Sequence, residues 1–229
     1  MNIIRSSIIP INRSHIDTDQ IIPAEFLRST LKEGYGKHLF ARLKEELNLK
    51  KYEGAQIMVA GANFGCGSSR EHAAWALADW GIRAIIASSF ADIFQQNAFN
   101  NQILPIVLPE SVIQEIFEQE VQQSPYQITI DLPQQTVMIP SGETFSFSIN
   151  PYKKECLLKG VDDFDYLLSK RNQIHKIARK HGAYNIRIFG SFVQGKAGPK
   201  SDIDFLVDVK KNEVPFSPVV WLPILKNYF

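Results

Sequence analysis

The stretch from Ala55 to Leu108 constrains the fold more than any other part of the chain. Gln56-Ile-Met-Val-Ala60 is a short apolar run, followed by the glycine-rich turn Gly61-Ala-Asn-Phe-Gly-Cys-Gly67. A helix to about Trp80 is predicted next, with Ser68 or Ser69 as its cap, Glu71 in its first turn and Gly81 just past its end. Arg83–Ser88 and Ile103–Leu108 read as further strands, and Ala91–Asn100 as the helix between them. Strands that alternate with helices must be joined by crossovers, so the strands are predicted to pair in parallel.

The flanks complete an α/β domain. Ile3–Ile11 is predicted as the first strand, and Leu39–Leu47 has helical spacing. Ser111–Gln122 reads as another helix. Tyr126–Leu132, Thr136–Ile139 and Thr144–Ser148 read as a β-meander. A second pattern begins after Asp163: a basic amphipathic helix over Tyr166–Lys180 stopped by Gly182, then strands at Asn185–Phe189 and Ser201–Asp208. The charge changes sign at the same place. Residues 1–163 hold 14 Lys/Arg against 19 Asp/Glu, whereas residues 164–229 hold 11 against 5. Two units of different origin are therefore expected, 1–163 and 164–229. The basic unit either attracts a polyanion or presents a solvated helix face; no nucleic-acid partner is expected.

No apolar run is long enough to span a bilayer, and Arg5, Pro10 and Arg13 interrupt the apolar start, which does not read as a signal peptide. A cytoplasmic protein with no membrane partner is expected. The only cysteines are Cys66 and Cys156. A cubane iron–sulfur cluster needs three or four thiolates, so this chain alone is not expected to bind one.

Gly65-Cys-Gly-Ser-Ser-Arg-Glu-His72 places two hydroxyls and a guanidinium where a strand turns into a helix. Free N–H groups there favour an anion, and Arg70 can grip a carboxylate with two parallel hydrogen bonds. The same residues also suit a merely capped helix. A phosphate loop is a poor fit, because the lysine of that motif is missing.

The run Gly61–Leu77 resembles the signature of the 3-isopropylmalate dehydratase small-subunit family, which shares the swivelling domain of aconitases. Asp17-Thr-Asp-Gln-Ile-Ile-Pro-Ala-Glu-Phe-Leu27 with Glu33-Gly-Tyr-Gly36, and Leu158-Lys-Gly-Val-Asp-Asp163, resemble its start and its C-terminal end. The resemblance implies an aconitase-type swivelling β/β/α domain and a hydro-lyase of leucine biosynthesis. Such an enzyme interconverts 2- and 3-isopropylmalate through an enoate. It also implies a heterodimer, active only with a large subunit that supplies a [4Fe–4S] cluster, and a 2-hydroxy dicarboxylic acid as substrate. Ser68 would be the general base, an alkoxide that needs concentrated positive charge. Asp19 and Arg70 would complete the catalytic set, with Asp19 orienting the basic groups and the proton relay. Ser69 and Arg70 would bind substrate carboxylates. Cys66 is expected to pack in the turn, and His72 to hydrogen-bond locally. Asp17 either serves the site or caps its turn.

Arg28 lies in the loop that discriminates the substrate's side group in relatives. It is either a carboxylate contact, which would favour an aconitase-like or homoaconitase-like substrate, or a surface residue.

Phe189–Val207 resembles the minimal nucleotidyltransferases related to DNA polymerase beta, with a Gly190-Ser191 turn ahead of Asp202-Ile-Asp204. Alternation puts Asp202 and Asp204 on one strand face, where two carboxylates can hold Mg²⁺. Complete members add a third carboxylate on a later strand, and here no Asp follows Asp208. The segment is accordingly expected to be a truncated, partial α/β unit with a vestigial Mg²⁺ site. A nucleotidyltransferase acting through this motif is the alternative reading.

Overall fold

The computed structural model describes residues 1–27, 32–180, 182–190 and 204–209, which gather into two compact units, Met1–Asp162 and Asp163–Phe229. In chain order the first unit runs β1 (Ile3–Ile11), α1 (Thr18–Ile21), α2 (Lys44–Leu47), β2 (Ile57–Ala60), α3 (His72–Trp80) and β3 (Ala84–Ala87). It continues with α4 (Asp92–Asn100), β4 (Leu104–Val107), α5 (Glu110–Gln122), β5 (Gln127–Asp131), β6 (Thr136–Met138), β7 (Thr144–Ser146) and α6 (Pro151–Lys159). The second unit holds α7 (Asp163–Ser169), α8 (Arg171–Lys180) and an antiparallel pair, β8 (Ala183–Phe189) and β9 (Asp204–Val209).

All seven strands of the first unit form one sheet in the order β4-β3-β2-β1-β5-β6-β7. The long first strand joins its two halves. Residues Ile8–Ile11 pair in parallel with Ile57–Ala60, whereas Ile3–Ser7 pair antiparallel with Gln127–Asp131. One side of β1 therefore carries the parallel crossovers and the other the predicted meander.

β2 and β3 are buried at every position, which is what continuous apolar runs signal when both sheet faces are covered. Ile8, Ile57, Ala84 and Leu104 lie in register and join a core with Val112, Ile113 and Ile116 of α5. The alternate residues Ile9, Met58 and Ile85 face a second core, built with Ala73, Ala76 and Leu77 of α3 and with Phe94 of α4. Each fully buried Ile or Leu contributes about 1.5–3 kcal/mol, so the sheet is fixed mainly by these two apolar layers.

Several predicted helices take other forms. Leu39–Leu47 is not one helix: Phe40 (φ 49°) and Asn48 (φ 40°) adopt left-handed conformations, leaving a 3₁₀ turn at Ala41–Leu43 and the single turn of α2. The predicted helix over Tyr166–Lys180 breaks at Lys170 into α7 and α8. α6 lies where no helix is predicted, although Asn150 caps it at Tyr152 N–H (2.9 Å), Pro151 opens it and Gly160 (φ 70°) closes it. In α8, Ile174, Ile177 and Ala178 are buried, while Arg171, Lys176, Arg179 and Lys180 line an open basic face. No helix among the described residues is long and apolar enough to cross a membrane.

Candidate active-site loops

The C-terminal ends of parallel strands are where α/β sheets place ligands, and here two loops meet at that edge. The loop after β1 runs alongside the loop after β2. His15 N–H donates to Ala62 O (2.8 Å), Gly65 N–H to Ile16 O (2.7 Å) and Thr18 N–H to Cys66 O (2.9 Å). The Thr18 hydroxyl then donates to Ser68 O (3.0 Å). From the third strand end, Ser89 accepts from Asn63 N–H through its hydroxyl (2.8 Å) and from Phe64 N–H through its carbonyl (3.1 Å). Gly65 (φ 77°) is required in this seam, because a Cβ there would come within 2.1 Å of the Phe94 ring.

Neither serine caps a helix, contrary to the sequence expectation. Gly67 turns the chain in the left-handed region (φ 88°), and α3 begins only at His72, with Glu71 in the cap position and no side-chain cap. Ser68 and Ser69 precede the first helical turn and are exposed. Among the described residues, their hydroxyls are thereby not tied to backbone N–H groups. The carboxylate of Glu71 instead accepts from Asn101 Nδ2 (2.9 Å).

Asp17 is the cap of α1. Its side chain accepts from Gln20 N–H (2.7 Å), while Gln20 Oε1 accepts from Asp17 N–H (3.0 Å), a reciprocal capping box. Asp17→Ala is expected to cost about 1 kcal/mol, seen as a lower urea midpoint with an unchanged slope.

The capped turn presents Asp19. Its Oδ1 accepts from Ala24 N–H (3.0 Å) and lies 3.4 Å from Arg70 Nη1, and its Oδ2 lies 2.5 Å from Arg42 Nη1. The Ala24 N–H, aided by Arg42 and Arg70, holds the Asp19 carboxyl below its ordinary range. Two of the three residues expected to be catalytic, Asp19 and Arg70, thus touch, and Ser68 is tied to the same seam through its carbonyl.

Arg42 is absent from the sequence-based set, because the helical reading of Leu39–Leu47 gave no reason to aim it at Asp19. Arg28 and Asp202 lie outside the described residues, and Asp204 opens β9.

His72 departs from expectation. Its Nδ1 is buried without a hydrogen-bond partner among the described residues, and its ring packs against Tyr35 (5.4 Å) and Trp75 (4.5 Å). Burial pushes its pKa down, so the imidazole is neutral at neutral pH. Cys66 is half-buried and free, and burial pushes its thiol up. Among the described residues no three His, Cys, Asp or Glu side chains are grouped to hold a metal. Cys66 and the buried Cys156 of α6 do not fit an iron–sulfur cluster.

Residues 5–111 match the aconitase C-terminal domain and residues 114–151 the LeuD_N domain. A 3-isopropylmalate dehydratase small subunit from Saccharophagus degradans is 45% identical over 184 residues, covering 72% of this chain and 86% of that protein. The chain belongs to the 3-isopropylmalate dehydratase small-subunit family.

Another member, from Neisseria meningitidis serogroup C, is 42% identical over 196 residues and covers 77% of this chain and 92% of its own. The crystal structure of a 3-isopropylmalate dehydratase from Methanocaldococcus jannaschii superposes with a TM-score of 0.61 at 34% identity. That match covers 76% of this chain and 98% of the archaeal one. Both matched family ranges, 5–111 and 114–151, lie within the first unit. Residues 170–219 match a nucleotidyltransferase domain.

Proposed function

We propose that the first unit supplies the base and the carboxylate anchors of a two-subunit 3-isopropylmalate dehydratase in the cytoplasm, acting in leucine biosynthesis. The observation that carries this reading is the seam itself: exposed Ser68 and Ser69, with Arg70, held beside Asp19 in a chain of this family. The substrate is a 2-hydroxy dicarboxylic acid with an apolar isopropyl group. Its carboxylates pair with Arg70 and the Ser69 hydroxyl. Ser68 acts as alkoxide and removes the proton from the carbon next to the one that loses hydroxide, leaving the enoate. Delivery of that proton from Ser68 to the carbon that lost hydroxide, with hydroxide entering the carbon that lost the proton, gives the isomer.

A serine alkoxide forms only where cations stabilise it, and Arg70 brings that charge to the loop. Asp19 stays ionised and pairs with Arg42 and, at longer range, with Arg70. The iron–sulfur cluster belongs to the large subunit in this reading, because the two thiols here do not fit one. The second unit takes no part in the reaction.

The test mixes the purified chain with a cluster-bearing large subunit and follows enoate absorbance from 3-isopropylmalate. Absorbance is expected to change in the mixture and not with this chain alone. A silent mixture with intact cluster content would overturn the reading.

A further inference from the structure

Arg42 stands apart from the expected site residues, and three observations give it a role. The first is the uneven sharing of Asp19. Arg42 Nη1 lies 2.5 Å from Oδ2, whereas Arg70 Nη1 reaches Oδ1 only at 3.4 Å, the long end of a hydrogen bond. The second is the far side of Arg42, whose Nη2 lies 3.8 Å from Glu25 Oε2. Arg42 is therefore held between two carboxylates, while Arg70 has one loose contact and most of its five donors unclaimed among the described residues.

The third is backbone conformation. Phe40, two residues before Arg42, is fully buried yet has φ 49° and ψ 37°. A bulky residue in the left-handed region is uncommon and costs of order 1–3 kcal/mol, so the surroundings must enforce it. They do so through the buried ring and the Phe40 N–H, which donates to Ile21 O (2.8 Å) at the end of α1. This turn precedes the 3₁₀ turn at Ala41–Leu43 and delivers Arg42 to the carboxylate in the first turn of α1.

From this arrangement we infer that Arg42 is a positioning residue that saturates Asp19 and so leaves Arg70 free to grip a substrate carboxylate. The inference rests on the proposed lyase reading for its substrate, but not for its geometry. Without Arg42, Asp19 faces a single neighbouring cation. Arg70 then closes on it as a bidentate pair and is withdrawn from the substrate. Folding is a poor explanation for Arg42, whose side chain is 53% exposed, since exposed ion pairs contribute little to stability.

The experiment has two arms. In the reconstituted enzyme, Arg42→Ala is expected to raise KM about tenfold, the loss of one charge-assisted carboxylate contact, and to lower kcat as well, because the withdrawn Arg70 no longer supports the Ser68 alkoxide. Arg42→Lys, which restores the charge without the fork, is expected to fall between. Removing the attractor as well, in Asp19→Asn/Arg42→Ala, is expected to bring KM back to within about threefold of Asp19→Asn alone.

In the isolated full chain, ¹⁵N relaxation of the Arg70 side chain is expected to show a mobile guanidinium in the native protein and an ordered one in Arg42→Ala. An unchanged KM in Arg42→Ala, or a double variant as impaired as Arg42→Ala, overturns the inference. So does an Arg70 that is equally mobile in both chains. If the native mixture turns out inactive, the lyase reading fails and the relaxation arm still decides whether Arg42 holds Arg70 free.

Discussion

Replacing Ser68 by alanine is expected to lower turnover of the reconstituted enzyme by roughly 10³–10⁴-fold, the loss of a general base from the reacting carbon. The chain should fold and bind its large subunit as before. Ser68 is exposed, and its contact to the neighbouring loop runs through its carbonyl, which accepts from the Thr18 hydroxyl at 3.0 Å. The substitution keeps that carbonyl and removes only the hydroxyl. Co-elution of the two subunits on size exclusion, beside an enoate assay, separates the two properties. Lost co-elution would make the loop a docking element, and near-native turnover would remove Ser68 from the chemistry.

The largest effect on stability is expected at Gly65. An alanine there must hold φ near 77° and place its Cβ 2.1 Å from Cγ of Phe94. That ring cannot move aside: Phe94 is 2% exposed and packs against Phe64 at 5.2 Å between ring centres. Overpacking plus backbone strain should cost about 3 kcal/mol, a fall in Tm of roughly 6–12 °C for a chain of this size.

Gly54→Ala is the matched control. Gly54 has φ 84° with no atom near its missing Cβ, so it carries the backbone cost alone, about 1 kcal/mol. The difference between the two variants in urea unfolding measures the overlap with Phe94. Equal losses would mean that the seam adjusts, and that Gly65 is present for its conformation only.

How much of this was legible beforehand depends on the range of the interaction involved. β1 spans Ile3–Ile11, the same residues as its apolar run, and the runs that became β2, β3 and β4 are each a residue or two longer than the strands. Their periodicity is a local property, set by which side chains must leave water. The capped ends of α6 were also written locally, in Asn150-Pro151 and Gly160. No helix is predicted there because its buried residues, Lys153, Cys156 and Leu157, make no apolar stripe that periodicity could mark.

The placement of the serines was misread for a different reason. Ser68 and Ser69 have the chemistry of helix caps, and a local reading assigns them that task. Pairing with the β1 loop draws residues 64–68 along the sheet edge instead, so the helix starts later and the hydroxyls stay exposed.

By itself the sequence determined the α/β class, the parallel and meander halves of the sheet and the identity of Asp19, Ser68 and Arg70 as candidates. Each rests on side-chain patterning or on a motif that is contiguous along the chain. Only the tertiary structure decided that the two loops are joined, that the serines are uncapped and that Arg42 shares Asp19 with Arg70. Arg42 and Asp19 are brought together by a left-handed turn at Phe40, which the core enforces against that residue's own preference. No period in the sequence records such a turn, because its cost is local and its compensation comes from distant residues.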